Sequence, residues 1–212
     1  MKRKYLLFAV FLLSILASQA KTKKYGTWIE AEISKDIFKK LEFSFKPEIR
    51  LQDDFSVDEY LFDGKFTYKP KKYLRFAAAY RLTNDVKNKG NEIYHRFAFD
   101  GQLKKEWDRL EGTLRLRWTN YAEFDAETGK NNYLRYRLKF EYDIKNCKIR
   151  PYTSFELFHR LSDGQINKNR FDLGASIKVF DKSRIGAYYR IQSYFSGADA
   201  IHIAGLSYSL SL

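Results

Sequence analysis

The sequence contains few of the residues that cross-link a chain or interrupt regular structure. Its 212 residues include one cysteine, three prolines and eleven glycines. The single cysteine, Cys147, excludes an intrachain disulfide framework and a cysteine-based zinc cluster. So little proline and glycine excludes collagen-like and proline-rich disordered chains. Beyond residue 20 no apolar run approaches the roughly 18 residues that a membrane-spanning helix needs, so the sequence argues against a helical membrane protein.

The first twenty residues have the layout of a secretory signal peptide. Three basic residues follow Met1, an apolar stretch covers 5–16, and the small residues Ser18 and Ala20 precede a cleavage point. A retained N-terminal anchor is the alternative. We therefore predict a signal peptide over 1–20 and one exported domain over 21–212.

Beyond the leader, apolar residues recur at every second position, which is the pattern of a β-strand with two different faces. Between residues 134 and 142 the even positions are all leucine, tyrosine or phenylalanine, while the odd positions are all charged. The same alternation recurs along the whole chain. One face of the predicted sheet is therefore apolar and the other is ionic.

The alternation predicts eleven segments, most of them 9 to 12 residues long, which is the length at which a tilted strand crosses a bilayer. These segments are 25–33, 41–50, 60–69, 73–82, 92–103, 110–121, 133–143, 148–158, 169–180, 184–194 and 201–212. Bacterial single-chain barrels have an even number of strands, so we expect one segment to be divided or paired differently. The predicted fold is all-β, an antiparallel up-and-down transmembrane β-barrel of 10–12 strands, with 10 or 12 favoured. A secreted soluble β-sandwich is the alternative.

The connections between these segments alternate in length, as they do in outer-membrane barrels. Short lysine-rich connections follow residues such as 69 and 180, and longer polar loops lie between them, for example at 122–132. Aromatic residues near the predicted strand ends, Trp28 and Trp107 among them, are expected to form interfacial girdles. The predicted location is therefore the outer membrane of a bacterial cell, with its lipid as one partner.

Several short strings along the chain resemble a known family. They are Gly26-Thr27-Trp28, Pro47-Glu48-Ile49-Arg50, Ala79-Tyr80-Arg81-Leu82, His95-Arg96-Phe97, Tyr133-Leu134-Arg135-Tyr136-Arg137, Pro151-Tyr152 and Glu156-Leu157-Phe158. On these strings the chain resembles the uncharacterised outer-membrane β-barrels grouped as domain of unknown function number 2490. The resemblance implies an outer-membrane barrel and brings no catalytic residues with it.

The last predicted strand resembles the signal that barrel-assembly machinery recognises during insertion. Ile203, Gly205, Tyr208 and Leu210 have the spacing of that signal, although Leu212 stands where an aromatic residue is usual. Barrel-assembly machinery is therefore an expected partner.

If the apolar faces meet lipid, the ionic faces line the lumen. The predicted lumen-lining residues are Arg50, Arg81, Arg96, Arg115, Arg117, Arg135, Arg137, Arg150, Glu48, Glu141 and Glu156. By parity, nineteen basic and twelve acidic side chains point inward, so the lumen is expected to be positive and to favour anions. The main interpretation is an Arg–Glu network that holds the barrel together, in an envelope protein of structural role. A narrow, porin-like pore for small anionic solutes is the alternative.

No catalytic, metal or cofactor site is predicted. The three histidines, His95, His159 and His202, fall on outward positions of strands three apart, which separates them by roughly 14 Å. No serine stands at a spacing that singles it out as a nucleophile, so an outer-membrane lipid hydrolase is the less favoured alternative. Despite the formal charge of +13, we do not expect a nucleic-acid partner for an exported chain.

Overall fold

The computed structural model describes residues 23–87, 90–120 and 131–212. The signal peptide predicted over 1–20 lies outside these residues, as does most of the loop predicted over 122–132. Within the described ranges no helix is long and apolar enough to cross a membrane.

The described residues form eleven strands in one closed barrel, in which each strand pairs with its neighbours in sequence and β1 pairs with β11. The strands are β1 (Lys23–Phe38), β2 (Leu41–Leu51), β3 (Val57–Lys71), β4 (Leu74–Asp85), β5 (Glu92–Trp107), β6 (Leu110–Thr119), β7 (Tyr133–Tyr142), β8 (Ile149–Arg160), β9 (Gln165–Phe180), β10 (Ser183–Tyr194) and β11 (Ala200–Ser211). The predicted all-β barrel is thus confirmed.

The number and pairing of the strands correct the prediction of 10 or 12 antiparallel strands. An up-and-down sheet with an odd number of strands has its first and last strands running in the same direction. Accordingly β1 and β11 pair in parallel, in register from Lys23 opposite Ala200 to Ser34 opposite Ser211. The rule of even numbers is wrong here because a parallel ladder also satisfies the backbone groups of both edges.

Four two-residue connections lie at one rim of the barrel, together with the six residues between β7 and β8, and the connections at the other rim have four residues or more. Two residues join β1 to β2 and β9 to β10, whereas five residues separate β2 from β3 and β10 from β11. Several strands extend further than predicted at the short-turn rim. β1 continues to Phe38 and β5 to Trp107, beyond the segments 25–33 and 92–103 that the alternation marked.

The interior wall near the closing seam is built from aromatic residues that alternate with glycines. Tyr188 lies opposite both Gly174 and Gly205 in the sheet, and Gly205 lies opposite Trp28 across the seam. A Cβ atom added to Gly205 would stand 2.0 Å from Cζ of Tyr188. Glycine is therefore required here, because the tyrosine ring occupies the space that any side chain would fill.

The two faces of the sheet have opposite chemistry. Outward positions expose large apolar side chains such as Phe45, Leu114, Leu138 and Leu206. Charged residues at outward positions of the described strands lie within four residues of a strand end, as Lys105 does. The inward positions hold most of the charged side chains, which turns the usual arrangement of a water-soluble barrel inside out.

The parallel seam can be tested by cross-linking. Thr27→Cys and Ala204→Cys, in a Cys147→Ser background, are directly opposite in the β1–β11 register, so we expect a disulfide under mild oxidation. Thr27→Cys with Tyr208→Cys is the matched control, since that pair is four residues out of register, roughly 13 Å apart. Peptide mass spectrometry identifies the products. A cross-link in the control pair alone would contradict parallel closure at this register.

Candidate functional site

The interior of the barrel is the candidate site because inward positions place buried charged groups from most strands in one space. The buried charged residues are Glu48, Arg50, Glu59, Arg81, Asp85, Arg96, Asp100, Arg135, Glu156, Lys168, Arg170 and Asp172. Burying a charge is costly unless it is paired. The partners of these groups therefore determine what the interior can do.

Glu48 on β2 is the centre of one group of ion pairs. Its carboxylate accepts a hydrogen bond from Arg50 Nε at 2.7 Å, and it lies 3.4 Å from Lys46 Nζ and 3.6 Å from Arg81 Nη2. Arg50 Nη1 also donates to Glu59 Oε2 on β3 at 2.7 Å. Three cations thus share the buried carboxylate of Glu48. The Glu48–Arg81 pair links β2 to β4, and the Arg50–Glu59 pair links β2 to β3.

Trp28 lies inside the barrel among arginines, and the prediction that it belongs to an interfacial girdle is wrong. The guanidinium carbon of Arg50 is 3.8 Å from the centre of the indole ring, that of Arg190 is 4.8 Å away, and that of Arg170 is 5.6 Å away. These distances are within the range of cation–π attraction. The sequence contained a sign of this inward position, because Trp28 and Glu30 are two residues apart and therefore lie on the same face of β1.

A second group of ion pairs surrounds Glu156 on β8. Its carboxylate accepts hydrogen bonds from Arg115 Nη2 at 2.7 Å and from Arg135 Nη2 at 2.9 Å. On the adjacent wall, Arg117 donates two hydrogen bonds to Asp100, at 2.5 and 2.6 Å. Three arginines from β6 and β7 are therefore held by two carboxylates.

Asp172 on β9 joins the remaining arginines of this region. Arg190 donates to both of its carboxylate oxygens, at 2.6 and 3.1 Å, and Ser154 Oγ donates to Oδ2 at 3.0 Å. Arg137 Nη2 is 3.5 Å from the same oxygen. Arg137 is thus held less closely than Arg190.

The predicted lumen-lining residues differ in their surroundings. Arg96 is only 7% exposed and lies opposite Arg81 in the sheet, with no carboxylate within 4.0 Å among the residues that the structure describes. Arg150 and Glu141 lie near the short-turn rim, where Arg150 Nε donates to Asp143 at 3.0 Å. Arg150 is 40% exposed, so it belongs to the edge of the interior.

Two cavities with no lining residue in common occupy opposite ends of the interior. The loop-side cavity, of about 550 Å³, is lined by Trp28 and Arg50, and the short-turn-side cavity, of about 470 Å³, is lined by Arg81 and Arg115. Glu48 borders neither cavity but forms ion pairs with Arg50 and Arg81. A layer of paired buried charges therefore stands between the two spaces.

The three histidines lie on the outer wall, and each shares a hydrogen bond with a tyrosine of the preceding strand. The Tyr Oη to His Nδ1 distances are 2.6 Å for Tyr80–His95, 3.3 Å for Tyr136–His159 and 2.6 Å for Tyr189–His202. All six residues lie within six residues of the loop-side end of their strands. The structure brings no two histidines together, and among the described residues it contains no cluster of metal-ligating side chains.

Carboxylates in the loop-side connections fix local turns. Asp54 accepts hydrogen bonds from the Ser56 hydroxyl at 2.6 Å and the Ser56 amide at 2.9 Å, and these bonds lower the pKa of Asp54. Arg160 Nε donates to Asp163 at 3.0 Å and likewise lowers the pKa of that carboxyl. Both groups are thus ionised at neutral pH and stabilise their loops.

Removing the charge of Glu48 tests whether the network stabilises the barrel. Glu48→Gln leaves Lys46, Arg50 and Arg81 without their shared carboxylate, so we expect the free energy of unfolding to fall by about 3 kcal/mol. Denaturant unfolding of the folded protein in detergent micelles measures this. Glu106→Gln, whose parent side chain is 66% exposed, is the control and should change stability by less than about 0.5 kcal/mol. Equal effects of the two substitutions would contradict a stabilising role for the network.

Comparison with known proteins gives a family but no annotated relative. A search of curated proteins found no match to the chain. The family described as Protein of unknown function (DUF2490) matches residues 25–201, which covers β1 through the start of β11. This agrees with the resemblance noted in the sequence, and the chain belongs to the DUF2490 family.

Proposed function

We propose that the protein is a β-barrel of the bacterial outer membrane, exported by the signal peptide predicted over residues 1–20, and that its interior has a structural role. The observation that carries the proposal is the division of the wall into an apolar outer face and an ionic inner face. Apolar side chains at outward positions gain nothing from water, whereas they suit a hydrocarbon environment. A sheet in that environment must also be closed, as this one is.

The height of the apolar band supports this proposal. On β5 the outward residues run from His95 through Phe97, Phe99 and Leu103 to Lys105. The ten steps from His95 to Lys105, at about 3.4 Å each and tilted by roughly 40°, rise about 25 Å along the barrel axis. That is the height of the apolar band in known outer-membrane barrels.

The ends of the band carry the side chains expected at the two lipid–water boundaries. The three Tyr–His pairs lie at the loop-side end, where each pair combines an apolar ring with polar atoms. At the other end Trp107 packs beside Lys105, with 5.3 Å between the ammonium group and the ring centre. Outer-membrane lipid is therefore the proposed partner of the outer wall, and barrel-assembly machinery is the proposed partner during insertion.

A structural role is favoured over free passage of solutes because paired buried charges lie between the two cavities. Breaking such pairs to open a channel would leave several buried ions without partners. The second candidate is a narrow anion-preferring pore, which the surplus of basic side chains in the short-turn-side cavity favours. We propose no catalytic residue; each histidine of the outer wall shares a hydrogen bond with a tyrosine.

Membrane extraction and bilayer recording test this proposal together. We expect the protein, expressed with its leader in a Gram-negative host, to stay in the outer-membrane fraction through high salt and urea and to dissolve only in detergent. We also expect planar bilayers that contain the purified protein to stay electrically silent. Release by salt alone would contradict the membrane location. Stepwise currents whose reversal potentials show a preference for anions would contradict a purely structural role and support the anion-preferring pore.

A further inference from the structure

Three pairs of arginines lie directly opposite one another on neighbouring strands of the inner wall. They are Arg81–Arg96 on β4 and β5, Arg117–Arg135 on β6 and β7, and Arg115–Arg137 on the same two strands. Like charges directly opposite in a sheet are destabilising. Three such pairs on four consecutive strands therefore need a source of negative charge.

The described carboxylates of this region do not supply enough of it. Asp63 pairs with Arg81, Asp100 with Arg117, and Glu156 is shared by two arginines. Asp172, the fourth, is engaged by both Nε and Nη2 of Arg190. Glu48, which Lys46 and Arg50 already hold, lies 3.6 Å from Arg81 Nη2. Six arginines thus face three carboxylates of their own and two that other cations already hold.

Most of these arginines border an open space. Arg81, Arg115, Arg117 and Arg137 all line the cavity of about 470 Å³ at the short-turn side. In all, eight basic and four acidic side chains line this cavity. Nη1 of Arg81 and Nε of Arg115 are buried and have no hydrogen-bond partner. The excess of basic over acidic side chains around this space favours an anionic ligand rich in acceptor oxygens.

We propose that this cavity binds a multiply charged oxyanion, either inorganic phosphate or a small phosphate monoester, between Arg115, Arg117 and Arg137. Guanidinium groups present paired N–H donors that match two oxygens of such an anion. The cavity volume lies within the range of small-molecule sites, about 300–1,000 Å³, so a phosphate with a short organic group fits. Binding requires only the folded barrel, so it does not depend on the membrane proposed above.

Calorimetric titration of the full barrel in detergent micelles tests this site. Inorganic phosphate and glycerol phosphate are the probes, and sodium chloride at equal ionic strength is the reference anion. We expect both phosphates to bind at least tenfold more tightly than chloride, and to raise the unfolding temperature as ligands of the native state do. Phosphate affinity no greater than that of chloride would overturn the proposal.

Arg137→Gln separates an anion site from a purely structural role. Its carboxylate contact is long, and its removal relieves the repulsion with Arg115, so the unfolding temperature without phosphate should stay the same or rise. The phosphate affinity of Arg137→Gln should be at least tenfold lower than that of the unsubstituted protein. Arg137→Lys keeps the charge but not the paired donors, so its phosphate affinity should lie between those of the unsubstituted protein and Arg137→Gln.

The matched control is Arg150→Gln, which removes an arginine from the rim, outside this cavity, and should change phosphate affinity less than twofold. Loss of stability in Arg137→Gln with unchanged phosphate binding would overturn the proposal. Failure of membrane location, in contrast, would leave all of these binding results intact.

Discussion

Closure of the sheet through the β1–β11 seam is the constraint on which the rest of this structure depends. Once both edges are paired, every strand has one side facing a small enclosed space and one side facing outward. The alternation along each strand then decides which side chains are confined together. In this protein the confined set is ionic, so the stability of the barrel depends on how its charges pair.

The size of the ring explains why long charged side chains fill it. A barrel of about eight strands is just wide enough for ordinary side chains to fill its interior, and eleven strands enclose more space. Arginine and glutamate reach across such a space, and Trp28 adds a flat surface on which Arg50 and Arg190 lie. The ion pairs of Glu48 lie between the loop-side cavity and the short-turn-side cavity. The interior thus holds two spaces in which a polar ligand would be surrounded by charged side chains.

Much of this architecture could be predicted from the sequence because a strand repeats every two residues. The eleven segments and the inward positions of Glu48, Arg50, Arg135 and Glu156 follow from that period alone. The parallel closing pair was not predicted because the even strand number usual in bacterial barrels outweighed the eleven segments, which by themselves imply that the first and last strands run in the same direction. Local patterns do not encode the register of that pair. Trp28 was assigned to a girdle because it stands near the beginning of its strand, although its parity with Glu30 points inward.

The arrangement of the arginines could not be predicted either. Parity places Arg115, Arg117, Arg135 and Arg137 on the inner wall, but which of them face one another depends on the register between β6 and β7. A shift of two residues would have set Arg115 opposite Arg135 and left the others beside different neighbours. Register also decides that Glu156 reaches two arginines while Arg96 reaches none of the described carboxylates.

The division into a lipid-facing outside and a wet inside is tested most directly by two neighbouring spin labels on β11. In a Cys147→Ser background, one nitroxide is attached at Leu206→Cys, whose parent side chain is 53% exposed. The other is attached at Ser207→Cys, which lines the short-turn-side cavity. In lipid bilayers we expect the label at 206 to be relaxed by oxygen and the label at 207 by a water-soluble nickel reagent. The opposite pattern, with nickel reaching position 206 and oxygen excluded from it, would contradict the account.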